Sequence, residues 1–102
     1  MIPTARPADP LVADAAAFGA AVRAARTGSG MSLADAALLL GIGKQTLSDL
    51  ETARASVGLA TALKVGRELG VAVFAVPAHD REWVRRLVID GREQSVRDGG
   101  VR

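Results

Sequence analysis

The stretch Met31–Ala53, MSLADAALLLGIGKQTLSDLETA, decides the fold, because it predicts two short helices joined by a tight turn. Ser32 is suited to cap the first helix, and Asp35 suits its positive first turn. Gly41 should end that helix, since Gly most easily supplies a left-handed C-terminal residue. Ile42 can then fold back as an apolar plug between the helices.

The second helix, predicted over Lys44–Thr52, has two different faces. Leu47 and Leu50 recur at helical spacing and predict a buried face. Hydrogen-bonding side chains form the other face, namely Lys44, Gln45, Ser48, Asp49 and Thr52. Two helices joined by a short Gly-containing turn are typical of the arrangement that presents its second helix to a DNA major groove.

These residues resemble the phage-repressor, or Xre-type, helix-turn-helix family over about residues 18–71. The parts follow the family order: Phe18-Gly19, Arg23, Arg26, Ser32, Ala37, Gly41-Ile42, Leu47, Leu50-Glu51, Leu59, Leu63 and Leu69-Gly70-Val71. The ordered set is far more specific than any one of its residues. It implies a mainly α fold, a four-helix repressor-like domain that binds double-stranded DNA.

The resemblance implies base contacts by residues at the start and middle of the second helix: Lys44, Gln45, Thr46 and Asp49. Their chemistry suits guanine, adenine, the thymine methyl group and cytosine N4, respectively. The alternative for each is a solvated helix face.

Phosphate contacts are predicted for Ser32, Ser48 and Arg54. Arg54 is equally suited to remain solvated near the negative end of the helix. The family often has Gln after the capping Ser, whereas this chain has Leu33. Backbone amides would therefore make the phosphate contact at that point.

Length and composition predict one small domain with a modest core, since 102 residues are 49% hydrophobic. The chain has no Cys and one His, so disulfides and ordinary zinc sites are excluded, and no cofactor is implied. A reducing cytoplasm is the simplest compartment, with the protein on the nucleoid when bound to DNA.

The net charge of +2 predicts weak DNA binding by one copy, so two copies should act together on an inverted-repeat operator.

The flanking segments divide the chain further. Residues 1–10 contain three prolines and are predicted to form a disordered arm. Residues 11–70 are predicted to form the helix-turn-helix domain. A first helix should end near Arg26. A fourth should run from about residue 58 or 59 to Leu69, with an inward stripe of Leu59, Ala62, Leu63, Gly66 and Leu69.

Residues 71–77 predict a dimerisation strand, because VAVFAV is rich in Val and Phe, lacks a helix cap and ends at Pro77. One strand cannot satisfy its own backbone. Pairing with a second copy would make a homodimer through Val71, Val73, Phe74 and Val76. The alternative is an internal hairpin with residues 83–89.

This ending resembles HipB-like antitoxins, autorepressors of the same family that dimerise through such a strand. Residues 78–102 are interpreted as a tail with room for a short helix that Asp90-Gly91 would break. Trp83, Arg85 and Arg86 are candidates for docking a partner protein, which the resemblance implies is a HipA-like toxin kinase. The alternative for Trp83 is packing on the dimer sheet.

An enzyme is not predicted. His79 and Asp80 are neighbours in sequence, which defines no catalytic geometry, and carboxylates are scattered singly. Two hypotheses follow: an antitoxin that represses its own operon, and a free-standing phage-type or metabolic repressor without a toxin partner.

Overall fold

The computed structural model describes residues 2–97, which form five α-helices and a single 3-10 turn. The helices are α1 (Ala15–Gly28), α2 (Leu33–Leu40), α3 (Lys44–Thr52), α4 (Leu59–Glu68) and α5 (Arg81–Arg97); the 3-10 turn is Ala78–Asp80. The mainly helical class predicted from the sequence is confirmed.

Two compact units divide the described residues. The first unit comprises residues 2–7 and 12–73 and contains α1 to α4. The second comprises residues 8–11 and 74–97 and contains the 3-10 turn and α5.

A continuous apolar cluster forms the core of the first unit. Its buried members are Val22, Ala36, Ala37, Leu40, Leu47, Leu50, Val65 and Leu69. Phe18, Ile42 and Leu33 pack against this cluster from its edge. Leu33 therefore serves the core, at the position where the family often has a polar side chain.

Helix α1 begins after Asp14, whose carboxylate accepts a 2.8 Å hydrogen bond from the N–H of Ala17. It extends two residues past Arg26, the predicted end, to Gly28. The backbone N–H of Thr4 donates to Thr27 Oγ1 over 2.8 Å. Disorder of residues 1–10 stays a prediction.

Helix α4 corrects part of the predicted inward stripe. Val65 is fully buried, whereas Leu59 is 74% and Leu63 38% exposed. The buried face of α4 therefore differs from the predicted one at these positions. Helical periodicity gives the spacing of apolar residues but does not show which of two apolar faces meets the core. The prediction of close packing at Gly66 is confirmed, since a Cβ atom there would lie 3.0 Å from Phe18 Cζ.

Residues 71–77 are in no helix or strand. The described part of the chain contains no β-strand at all, so the predicted strand has no support within a single chain. The internal hairpin is wrong, because residues 83–89 lie within α5. Residues 71–77 could therefore form a strand only by pairing with another chain.

Helix α5 corrects the prediction of a short helix ending at Asp90-Gly91. It continues through Gly91 to Arg97, and the remaining residues of the predicted tail, 98–102, lie outside the described residues. A single Gly weakens a helix by about 1 kcal/mol relative to Ala, and good helix formers on both sides outweigh that cost. Within the second unit, Arg85 of α5 pairs with Asp9 at 3.0 Å.

Candidate nucleic-acid interface

Helix α3 has one buried and one accessible face, as predicted. Leu47 is completely buried and Leu50 is 8% exposed. Lys44 and Gln45 are exposed, while the other predicted base-contact and phosphate-contact residues of α3 are half-buried: Thr46, Ser48 and Asp49. The predicted base-contact set thus lies on one helix, with its two longest side chains open to solvent.

The turn between α2 and α3 is fixed by backbone hydrogen bonds. Gly41 has a left-handed conformation (φ +70°), and its N–H donates to Leu38 O over 3.2 Å. The N–H of Ile42 donates to Ala37 O over 3.1 Å, which completes the end of the helix. Gly43 then caps α3. A turn defined this closely sets the crossing of the two helices.

A buried ion pair joins α3 to α1. Arg26 Nε lies 2.6 Å from Glu51 Oε2, and Arg26 Nη2 donates to Glu51 Oε1 over 2.9 Å. Arg26 Nη1 donates to the backbone oxygen of Met31 over 2.9 Å. The hydrogen bonds to Glu51 raise the pKa of Arg26 above its ordinary value. Because this two-bond pair is planar and directional, it fixes the C-terminal turn of α3 relative to α1.

The accessible face of α3 also contains an internal hydrogen bond. Gln45 Nε2 donates to Asp49 Oδ1 over 2.9 Å, one helical turn along. Further along, Thr52 Oγ1 donates to the backbone oxygen of Ser48 over 2.8 Å. Gln45 and Asp49, which were expected to contact separate bases, are therefore joined to each other in the structure.

The predicted phosphate-contact residues occupy three different positions. Ser32 caps α2, with its Oγ accepting a 3.0 Å hydrogen bond from the N–H of Asp35. Ser48 lies on α3, and Arg54 follows its end with an exposed side chain. The intervening Ala53 has a left-handed conformation (φ +55°), which turns the chain sharply before Arg54.

The residues predicted for dimerisation and docking lie further along the chain. Val73, Phe74 and Val76 are exposed and Val71 is half-buried. On α5, Trp83 is 65% exposed, and Arg85 donates to both Asp9 and Glu82. Arg86 is exposed and lies 3.9 Å from Glu82. No group of three metal-ligating side chains occurs among residues 2–97, and none of their helices is long and apolar enough to cross a bilayer.

The sequence reasoning named Arg26 and Glu51 only as parts of a family pattern and missed their pairing. The spacing of residues along α1 and α3 could have indicated this pairing. Arg26 continues the inward spacing of Phe18 and Val22 on α1, and Glu51 follows Leu47 by one turn on α3. Opposite charges in the apolar stripes of two packed helices indicate a buried pair.

A second missed contact involves Lys64 of α4, whose Nζ donates over 3.1 Å to the backbone oxygen of Leu40. This oxygen belongs to the last turn of α2, where helix carbonyls lack partners. No local pattern predicts this contact.

Comparison with known proteins agrees with this geometry. The family model described as "Helix-turn-helix" (HTH_3) matches residues 22–74, about half of the chain. A solved structure described as a complex of a HipB variant with an O2 20mer is similar, with a TM-score of 0.59 and 22% identity over 67% of this chain and 94% of that one. No curated protein matches the chain. The chain belongs to the HTH_3 (Xre-type) family of DNA-binding helix-turn-helix regulators.

Proposed function

We propose that this protein is a sequence-specific transcriptional repressor that binds an inverted-repeat operator as a homodimer, with no enzymatic activity. The observation that carries the proposal is the accessible face of α3, held in place by the Gly41–Gly43 turn and by the Arg26–Glu51 pair. A rigid support matters because base contacts discriminate only when donors and acceptors are correctly placed. Family membership supports DNA as the ligand.

Of the four residues predicted to contact bases, Lys44, Gln45 and Thr46 are proposed to do so directly, whereas Asp49 accepts a hydrogen bond from Gln45. Lys44 and Gln45 are the exposed members and carry most of the proposed recognition. Ser32, Ser48 and Arg54 are proposed to contact phosphates on either side of the groove, where they set the register of the protein on the duplex.

The test is a gel shift with duplexes that the wild-type chain selects from a randomised pool. Lys44→Ala and Gln45→Ala should each weaken binding by about tenfold, since a good base contact is worth about 1–3 kcal/mol. Ala60→Ser, at an exposed position of α4, is the control and should bind normally. Undiminished and still selective binding by both α3 variants would refute the assignment.

A homodimer is proposed through the segment Val71–Val76 of two copies. Val73, Phe74 and Val76 are 49%, 59% and 37% exposed, an unusual density of accessible apolar residues for six positions. In the first unit, Val73 also lines an apolar groove of about 410 Å³ with Phe18, Leu59 and Leu63. Pairing between copies would satisfy the backbone groups of this segment, which lies in no helix or strand, and would cover part of this surface.

Light scattering on the full-length chain tests the dimer. The wild type should have the mass of a dimer, and Phe74→Asp should have that of a monomer, because burying an unpaired carboxylate in the interface is costly. Val96→Asp, also at an exposed position but on α5, should stay dimeric. A monomeric wild type would exclude the two-fold model.

The proposed physiological role is that of an antitoxin that represses its own operon and binds a HipA-like toxin kinase in the cytoplasm. The likeness to HipB shows the fold alone, so the support comes from α5, where the exposed Trp83 lies one helical turn before the exposed Arg86. Trp and Arg are favoured anchors of protein interfaces. The alternative is a free-standing phage-type or metabolic repressor.

A pull-down from the native host distinguishes the two roles. If the chain is an antitoxin, full-length protein should recover a kinase, and Trp83→Ala should lose it while Val96→Ala retains it. Recovery of no kinase by the wild type would favour the free-standing repressor.

A further inference from the structure

We propose that Asp49 is a positioning residue for Gln45: it fixes the orientation of the Gln45 amide, so that α3 selects adenine over guanine. The inference rests on the proposed function, since it requires Gln45 to contact a base. It replaces the expectation that Asp49 itself contacts cytosine.

The geometry leaves one orientation of the amide. Gln45 Nε2 lies 2.9 Å from Asp49 Oδ1, and both residues lie on the same face of α3. An ionised carboxylate only accepts hydrogen bonds, so the amide nitrogen faces Asp49 and the amide oxygen does not. In the flipped orientation, two oxygens would face each other. Without Asp49, the terminal torsion of Gln has two nearly equivalent orientations.

The fixed amide suits adenine. Adenine offers an N6 donor and an N7 acceptor in the major groove, which match the free Gln45 Oε1 and the second Nε2 hydrogen. Guanine offers two acceptors, O6 and N7. Pairing with both would need both Nε2 hydrogens, and Asp49 already holds one of them. Asp49 thus disfavours guanine without touching it.

The position of Asp49 also argues against a direct base contact. Its side chain is half-buried, whereas Gln45 is exposed one turn closer to the N-terminus of α3. A carboxylate near the DNA backbone is repelled by phosphates, and Oδ1 of Asp49 already accepts a hydrogen bond from Gln45.

The experiment uses the full chain and duplexes that it selects from a randomised pool. The base pair whose selectivity is most relaxed by Gln45→Ala identifies the position that Gln45 reads. Duplexes with adenine or guanine at that position are then titrated with wild type, Asp49→Ala and Asp49→Asn. Circular dichroism verifies that the variants are folded.

We expect Asp49→Ala to reduce the preference for adenine over guanine by about tenfold at that position alone. Asp49→Asn should retain only part of the preference, because its amide can accept from Gln45 in one orientation and donate to it in the other. In the Gln45→Ala background, Asp49→Ala should have no further effect at this position.

Four results would overturn the inference. A changed preference at a different base pair would mean that Asp49 contacts DNA directly. If Asp49→Ala and Asp49→Asn both bind all duplexes more tightly by the same factor, only the charge of Asp49 matters. Failure of the wild type to select any sequence would overturn the proposed function as well, whereas selection without an effect of Asp49→Ala refutes this inference alone.

Discussion

Gly19 of α1 lies directly against the backbone oxygen of Leu50 near the end of α3. A Cβ atom at Gly19 would overlap that oxygen and would lie 2.7 Å from the backbone oxygen of Glu51. The two helices therefore approach each other at a point where no other residue fits, and the neighbouring Arg26–Glu51 pair closes the same interface.

Gly19→Ala should destabilise the protein by about 2 kcal/mol, because the obstructing atoms are backbone and cannot move aside. Gly28→Ala on the same helix is the matched control, since nothing lies within 4 Å of its Cβ position. That change should be neutral or stabilising by up to about 1 kcal/mol. Urea denaturation measures both, and equal stability of the two variants would contradict the close approach.

Glu51→Ala should destabilise by about 3–5 kcal/mol, because it leaves the buried guanidinium of Arg26 without its partner. The double variant Arg26→Met, Glu51→Met should recover much of the loss, since two apolar side chains remove both desolvated charges. Denaturant titration of the single variants Arg26→Met and Glu51→Met and of the double variant gives the coupling between the two sites. Additive losses would show that the pair contributes nothing specific.

Ala53→Gly should stabilise the protein by about 1 kcal/mol. Ala53 holds a left-handed conformation at the end of α3, which costs L-residues about 1–2 kcal/mol and Gly almost nothing. Ala60→Gly in the first turn of α4 should have the opposite effect, lowering stability by up to about 1 kcal/mol. The midpoint of thermal unfolding should therefore rise for Ala53→Gly and fall for Ala60→Gly.

Arg54→Ala should weaken binding to all duplexes alike and lower the salt dependence of binding by about one counterion, as expected for a phosphate contact. Arg67→Ala removes the same charge from an exposed position on α4 and serves as the control. Binding titrated against salt concentration distinguishes them. An equal change in slope for both would assign the effect to net charge.

The Asp9–Arg85 pair in the second unit should respond to acid. The hydrogen bonds from Arg85 and from the backbone of Leu11 hold the pKa of Asp9 below its ordinary value of 3.8. The contact is therefore complete above that pH and is lost as the pH falls through the lower pKa of the folded chain. NMR titration should give a midpoint below 3.8 that rises in Arg85→Gln, and no rise would mean that the pair does not form in solution.

Local patterns predicted the helix-turn-helix itself and the residues on the accessible face of α3. Ser32 as a cap, Gly41 as a left-handed end and the spacing of Leu47 and Leu50 each act within a few residues, so short stretches of sequence determine them. The same local logic failed at Gly91, where a weak helix residue was taken for an end although its neighbours continue α5.

Tertiary structure decided what depends on distant partners. The Arg26–Glu51 pair, the approach of Gly19 to Leu50 and the burial of Val65 in place of Leu59 all join residues far apart in sequence. The strand prediction at residues 71–77 belongs here too, because strand pairing requires a partner outside the segment. Helix caps and turns are determined by short-range sterics and hydrogen bonds, whereas burial and ion pairing are settled only when the whole chain has packed.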